Sequence, residues 1–536
     1  PSSPSVFPRS ILAVLLLALF LPLQAAFMPF VWWAVVWAGV AALCLFAALA
    51  WVMQQWQAQD RAAHTRFIWV LLGALLASAL ANSAIGIAQF FNAVPAAWVP
   101  WITASDSARA FGNLRQPNQL ATLCSIGLGI AVFSPRPHSI PHNRAGRWAW
   151  RAGLGMALFV LAFATAVSAS RTGLLQWLLL ACALVYWAWR QPANYSALWR
   201  GLFALAVCAL ISIALAKAWL DPTGLHGPFA AHDAPISGTA EQAALGRMGD
   251  SGSDSRVVLW RNVLQVIGAR PWLGWGWGNL PYAMVQTPLH GAIFSTELDN
   301  AHNLPLQLAA ELGLPFALLF CGLVLLWVWR RKPWAERDAA RQAAWLILAA
   351  VALHSLLEYP LWYAPFLFAS ALAFGLLLPH TSADSAPAPT RIAPPSKHLH
   401  TGVRLLGALT ILLALCAWVD WMRVAQIYLP DNERSAWLTD GDDWIEENAR
   451  SFWFDQYAEF AQMGTTDLNA STAAAALVQA DHLLRYSSEA RVLRRARDAA
   501  VLLGQRDLAA QYQAQLDRRW PAEATRCHRT PQPADC

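Results

Sequence analysis

Charge is what this sequence lacks most. Of its 536 residues only 13% are Asp, Glu, Lys or Arg, about half of the roughly 25% found in soluble globular domains. So little charge cannot coat a water-soluble surface of this size, and disorder is excluded with it, because disordered chains need high charge and low hydrophobicity. Cysteine is also sparse, at 8, and no Cys/His spacing resembles a metal site. Cys44, Cys124, Cys182, Cys208, Cys321 and Cys416 fall inside apolar runs, where they behave as small apolar residues. A disulfide-rich secreted scaffold is therefore excluded, and only Cys527 and Cys536 in the tail are placed to form a bridge in an oxidising compartment. Lys and Arg exceed Asp and Glu by 38 to 32, a net +6, which is no electrostatic footprint for nucleic acid.

What the chain has in excess is apolar surface, at 57% hydrophobic residues, and 30 tryptophans. Tryptophan concentrates at membrane–water interfaces, and about 20 apolar residues span a bilayer core as a helix. Runs of that kind lie near 10–28, 31–53, 67–91, 118–134, 148–169, 171–190, 200–220, 304–329, 342–357, 362–379 and 402–420. The expected fold is an all-α polytopic membrane protein with about eleven transmembrane helices. Its parts are spans one to seven (1–220), a long outer loop (221–303), spans eight to eleven (304–420) and a soluble helical tail (421–536). Arg61 and Arg66, Arg136 to Arg151, Arg190 and Arg200, Arg330 to Arg341, and Arg391 to Arg404 fall in alternate loops. By the positive-inside rule those loops are cytoplasmic, as is the N-terminus, and the tail is exported. Arg9, the apolar run after it and Gln24-Ala25-Ala26 resemble a signal peptide, but the segment is read as a retained span.

The outer face gathers the unusual residues. One segment ends Arg109-Ala-Phe-Gly-Asn-Leu-Arg115-Gln116-Pro-Asn118-Gln119, and a tight turn, Ser168-Ala-Ser170-Arg171-Thr-Gly173, joins two spans. An arginine at such a turn marks a partner or a water-filled cavity, or snorkels to lipid phosphate. In the long loop, Asp254 or Ser255 caps an amphipathic helix over 255–267. Arg256, Trp260, Val263 and Ile267 share one face of it, while Arg261, Asn262 and Gln265 point away. A guanidinium at the head of an apolar face needs an anion, and free N–H groups at a helix start suit phosphate; a structural salt bridge is the plainer alternative. The loop closes on Asn300-Ala-His302-Asn303-Leu-Pro305, with Asn303 as N-cap. His302 just ahead of that helix is favoured as neutral imidazole, suited to act as a base. Glu311 lies two turns further on, and Glu358 sits four residues after His354, spaced to pair on one helix face. Either acid can orient an arginine or a histidine.

Two patterns carry less. Gly274-Trp-Gly276-Trp-Gly278 mimics a dinucleotide fingerprint without its strand and helix, and reads as a tight turn with aromatic faces for a sugar. Asp440-Gly-Asp442-Asp443 resembles a metal-binding Asp-x-Asp, but reads as an acidic capping turn. The tail shows helical stretches over 442–462, 471–485, 488–502 and 505–519 without a clean repeat. They resemble tetratricopeptide-type hairpins, either an acceptor-docking domain or a stabilising cap.

Together these segments resemble the O-antigen ligase and polymerase superfamily of bacterial inner-membrane glycosyltransferases. Gly112-Asn-Leu-Arg-Gln116-Pro-Asn118, Ser168-Ala-Ser-Arg171, Ser255-Arg256 to Trp260 with the glycine turn, and Ala301-His302-Asn303 to Glu311 are similar to its segments in the same order. His354-Ser-Leu-Leu-Glu358-Tyr-Pro and the exported tail look like its protein O-oligosaccharyltransferase, or pilin glycosylation, branch. Pro315 stands where that family often has Gly. The resemblance implies a glycan on undecaprenyl pyrophosphate, transfer on the periplasmic side, and no metal or other cofactor. It implies Arg171 and Arg256 on the pyrophosphate and His302 as base for a Ser or Thr hydroxyl of a pilin-like exported protein. Arg115, Gln116, Asn118, Asn303, Glu311, His354 and Glu358 support substrate binding. The alternatives are transfer to lipid A core or to a growing glycan, and, in another class, non-catalytic transport of lipid-linked glycan. A transporter should show paired half-repeats, and none is visible.

Overall fold

A computed structural model describes residues 9–57, 61–98, 101–103, 109–134, 143–191, 201–202, 206–207, 209–214, 256–294, 299–379, 397–439 and 444–520. Among these, every regular element is helical. In chain order they are α1 (Arg9–Ala25), α2 (Trp33–Gln57), α3 (Arg61–Phe90), α4 (Pro117–Phe133), α5 (Arg144–Val167) and α6 (Arg171–Arg190). After these come α7 (Arg256–Ala269), α8 (Leu280–Gln286), α9 (Leu304–Leu312), α10 (Leu314–Arg331), α11 (Ala339–Ser355), α12 (Ala364–Leu377) and α13 (Lys397–Tyr428). The tail adds α14 (Trp444–Ala449), α15 (Asp455–Thr465), α16 (Ala473–Leu483), α17 (Ala490–Leu502) and α18 (Arg506–Arg519).

Six helical stretches among the described residues are long and apolar enough to cross a bilayer: Trp33–Gln55, Arg66–Phe90, Arg144–Val167, Arg171–Arg190, Leu314–Ala335 and Gly407–Tyr428. Helices α1, α4 and α12 are apolar but shorter. Their side chains identify the solvent. Leu318, Leu319, Leu325 and Trp329 of α10, with Leu405, Ile411 and Leu412 of α13, are exposed. Apolar surface of that extent is stable only against lipid. The chain is an all-α polytopic membrane protein. Of the other expected spans, 342–357 appears as the 17-residue α11 and 200–220 lies largely outside the described residues. Outside them also lie Asp254, Ser255, Asp440-Gly-Asp442-Asp443, Cys208, Cys527 and Cys536.

The chain divides into two compact units. The first holds residues 48–250 and 325–393 with the extreme N-terminus. Its centre is α4, apolar all round and buried at almost every position from Gln119 to Phe133, as a helix without a polar face must be. It packs against α3, α5, α6 and α11.

The second unit holds residues 7–47, 251–324 and 394–536. Here the expected continuous span over 304–329 is broken. α9 stops at Leu312, Gly313 takes φ +91°, and α10 starts afresh at Leu314. The glycine turn takes two carbonyls freed at the break, Trp275 N–H donating to Ala310 O (3.0 Å) and Gly276 N–H to Glu311 O (2.9 Å), and the freed Leu314 N–H donates to Pro271 O (2.7 Å). A Cβ at Gly313 would collide with the Trp272 carbonyl, and one at Gly274 with the Glu311 carbonyl. Pro315, lacking an N–H, fits the first turn of the new helix. Trp275 in the same turn is buried, donates to Val266 O (2.9 Å) and lies under Arg270, so its ring serves packing, not a sugar.

The tail forms the expected helical hairpins. α17 buries Val492, Leu493, Ala496, Ala499 and Ala500 at helical spacing and turns its arginines outward. Its core also includes Trp32 and Val285 of the same unit. The expected helix over 442–462 is two helices, because Asp420 Oδ2 captures the intervening turn. It accepts from Ser451 Oγ (2.7 Å), Phe452 N–H (3.2 Å) and Trp453 N–H (3.0 Å).

Candidate functional site

The candidate residues fall into two sets, one in each unit. In the first unit, Arg171 opens α6 and is exposed. Ser170 caps the helix, its Oγ accepting from Gly173 N–H (3.1 Å). The turn ahead of it is strained, with Ala169 at φ +48°, a left-handed conformation that L-residues rarely adopt. Arg109 pins that turn by donating from Nε to Ser168 O (2.9 Å) and from Nη2 to Ala169 O (3.4 Å). Ser170 Oγ donates to Asn118 Oδ1 (2.6 Å), and Asn118 Nδ2 donates to Glu358 Oε1 (3.1 Å). Two linked hydrogen bonds thus run from the buried Glu358 carboxylate to the residue before Arg171.

One turn below, Thr122 Oγ1 lies 2.8 Å from Nδ1 of the fully buried His354 and accepts from Gln176 Nε2 (2.9 Å). α11 ends at Ser355, and Glu358 lies in the turn beyond it, its N–H donating to His354 O (2.8 Å). The His354 side chain meets Thr122, and that of Glu358 meets Asn118. Gln116 is the N-cap of α4, its Oε1 taking Gln119 N–H (2.7 Å). Arg115 has φ +57°, is exposed, and donates from Nε to Thr103 Oγ1 (3.3 Å).

In the second unit, α7 begins at Arg256, which is half-buried. Val263 and Ile267 are buried, and Trp260 Nε1 donates to Ala301 O (3.1 Å). Asn262 is a correction, since it is fully buried instead of facing away. It donates to Ala292 O (3.0 Å) and accepts from Phe294 N–H (2.8 Å). A side-chain amide that can satisfy two backbone groups at once is stable inside.

His302 is half-buried with φ +51°. The backbone around it is held from several sides: His302 N–H donates to Asn300 Oδ1 (2.9 Å) and Ala301 N–H to Gln307 Oε1 (2.6 Å). Asn303 caps α9 as expected, accepting from Leu306 N–H (3.0 Å). Glu311 is buried and accepts from Leu280 N–H (3.3 Å), while Gln24 Nε2 donates to its carbonyl (2.7 Å) and to Leu273 O (2.6 Å). Its visible work is to brace the glycine turn.

Four of the five described non-glycine residues with positive φ, Asn92, Arg115, Ala169 and His302, thus lie in the three segments singled out from sequence, the first of which runs from 92 to 117. Strain of this kind collects at functional sites. Sequence alone does not mark Arg109 as a site residue, nor Thr122, Gln176 or Gln307. The last three are polar groups inside apolar runs, and a polar group there needs a partner; that is the signal by which they can be found.

Three family models match the chain: "O-Antigen ligase" over residues 156–321, "Virulence factor membrane-bound polymerase, C-terminal" over 342–534, and "Protein glycosylation ligase" over 110–133. The first encloses Arg171, Arg256 and His302, the second His354 and Glu358, the third Arg115, Gln116 and Asn118. A curated relative, the "General O-oligosaccharyltransferase" of Acinetobacter baylyi, is 26% identical over 355 residues. That match covers 65% of this chain and 55% of the relative, so the chain spans about half of that protein's length. No solved structure matches. The three family matches and this relative together support the O-antigen ligase superfamily for this chain, on its oligosaccharyltransferase branch.

Proposed function

We propose that this protein transfers a glycan from undecaprenyl pyrophosphate to Ser or Thr hydroxyls of a pilin-like or other exported protein. In this reading it sits in the bacterial inner membrane, with its N-terminus cytoplasmic and its tail in the periplasm, where transfer occurs. The observation that carries the chemistry is His302. It is held in a strained left-handed conformation at the threshold of a capped helix, its neighbours fixed by Asn300, Gln307 and Trp260. Such bracing holds a side chain in one orientation, as general-base work requires. Arg171 and Arg256 each open a helix, so guanidinium and helix N-terminus offer positive charge together.

In the proposed step the acceptor oxygen attacks the anomeric carbon as His302 takes its proton. The anomeric carbon–phosphate oxygen bond breaks, and its electron pair leaves with the pyrophosphate, whose developing charge Arg171 and Arg256 stabilise. The configuration inverts, the proton passes from His302 to solvent, and no metal takes part. The relative's name supports O-linked oligosaccharide transfer, and the "Protein glycosylation ligase" match supports a protein acceptor. A second reading, in which the acceptor is lipid A core or another glycan, is favoured by the ligase and polymerase matches.

Co-expression with a lipid-linked glycan pathway and a candidate pilin separates the two. A glycan increment in the intact mass of the pilin is the expected result. Glycan on lipopolysaccharide alone overturns the protein-acceptor reading.

A further inference from the structure

The turn that joins α14 to α15 folds back along α13 and is fastened to a carboxylate inside that membrane span. Between Arg404 and Asp420, α13 carries no charged residue, and every residue from Gly407 to Cys416 is exposed. At 1.5 Å per residue the two charges stand about 24 Å apart along the helix, less than the roughly 30 Å of bilayer hydrocarbon. Asp420 therefore lies at the edge of the lipid. An acid there needs partners, and the turn supplies three in Ser451 Oγ, Phe452 N–H and Trp453 N–H. Ser451 Oγ in turn accepts from Phe454 N–H (2.8 Å). Three successive backbone N–H groups are thus satisfied without water, the condition for irregular backbone at membrane depth.

The tail covers α13 only beyond this point. Met422 to Ile427 are buried or half-buried, and α14 and α15 pack on this end of the helix. Arg423 donates to Glu447 O, and Tyr428 Oη to Tyr457 O (2.6 Å). Phe454 turns inward, its ring centroid 5.2 Å from that of Trp421. Phe452, fastened at the level of Asp420, is 67% exposed, and so is much of Trp418 just before it on α13. Ser435 N–H donates to Gln426 Oε1 (2.8 Å), which sets the segment bearing exposed Trp437 about 9 Å further along the axis.

We propose that the 451–454 turn is a membrane anchor, with the Phe452 ring seated in the lipid–water interface of the leaflet on the tail's side. The occupant is phospholipid, because the turn continues the lipid-facing surface of α13 and is tied to it at a depth that hydrocarbon reaches. Aromatic rings favour that zone, and burial of the Phe452 ring in it is favourable. Trp437, higher on the axis, meets headgroups. So anchored, the tail keeps a set height over the bilayer.

The test uses the full chain in nanodiscs of phosphatidylethanolamine and phosphatidylglycerol, with p-benzoylphenylalanine in place of one residue at a time. Irradiation is followed by peptide mass. In place of Phe452 the probe should form phospholipid adducts at a yield comparable to that in place of Ile411, which is exposed on α13. Val501 is the control: it is 60% exposed, but on α17, which packs on α16 and α18. There the yield should be about tenfold lower. Asp420→Ala, which frees the turn, should lower the yield at Phe452 about tenfold as well. A yield at Phe452 no higher than at Val501, or adducts there to protein in place of phospholipid, overturns the anchor. An undiminished yield in Asp420→Ala does the same. If that variant does not fold, the three positions in the otherwise unmodified chain decide alone.

Discussion

At the scale of single residues, the arrangement around Arg171 makes Arg109 a positioning residue. Its two donated hydrogen bonds hold the carbonyls of Ser168 and Ala169, and bonds from a charged donor are worth about 1.5–3 kcal/mol. Arg109→Gln should therefore slow transfer about tenfold or more by letting the strained turn relax. The check is the kcat and KM of a purified variant whose melting is unchanged. Arg171→Lys tests the next residue: if both phosphates are gripped by the planar fork, lysine will not restore activity. The sequence made Arg171 and His302 legible because ionisable groups are rare in this chain and these stand at helix starts. It hid Arg109, because nothing in a linear segment reveals that its guanidinium reaches carbonyls some sixty positions away. It also hid Asn262, whose burial follows from the 290–294 backbone folding against it.

At the scale of elements, the break at Gly313 separates a 9-residue helix from an 18-residue one within what hydropathy reads as a single span. Hydropathy averages over the break. The local signal was Gly313 followed by Pro315, and it is decisive only once the glycine turn supplies the missing hydrogen bonds. Gly313→Ala places a Cβ against the Trp272 carbonyl at φ +91°. The backbone strain alone costs about 1–3 kcal/mol, so thermal unfolding in detergent should begin at lower temperature. Gly268→Ala, where a Cβ meets open space, should leave it unchanged.

The tail offers a second element-scale prediction. Burial, with Asp455 adding to it, pushes the Glu459 carboxyl up to about 7, while burial lowers the pKa of its neighbour His482, 3.5 Å away. A raised carboxyl favours folding in acid and loses that contribution as pH rises from the ordinary carboxylate range through about 7. A lowered imidazole works the other way, contributing above its ordinary range and losing stability as pH falls. Glu459→Gln should therefore remove the alkaline loss and leave the acid loss from His482, visible as a changed slope of melting temperature between about pH 5 and 8.

At the scale of the whole molecule, the membrane-protein class was legible from composition alone, since the missing charge and the exposed leucines of α10 and α13 express one fact. Which stretches qualify as spans was less legible: six meet the length and hydropathy expected, and α1, α4 and α12 are shorter. α4 shows why, because a helix buried by protein on every side needs neither full bilayer length nor a lipid-facing stripe. The proposed orientation predicts that reporter fusions in the 256–294 region and in the tail are active only when exported. A cytoplasmic signal at either place would contradict it.

The central claim is that His302 takes the proton while polyprenyl pyrophosphate departs, and single-turnover transfer by the purified protein tests it most directly. With a polyprenyl-pyrophosphate glycan and a Ser-bearing acceptor in the presence of EDTA, glycosylated acceptor and free polyprenyl pyrophosphate should appear in equal amounts. His302→Ala should reduce that rate about 10²–10⁴-fold without preventing donor binding. An undiminished rate in His302→Ala, or carrier released without glycosylated acceptor, would contradict the account.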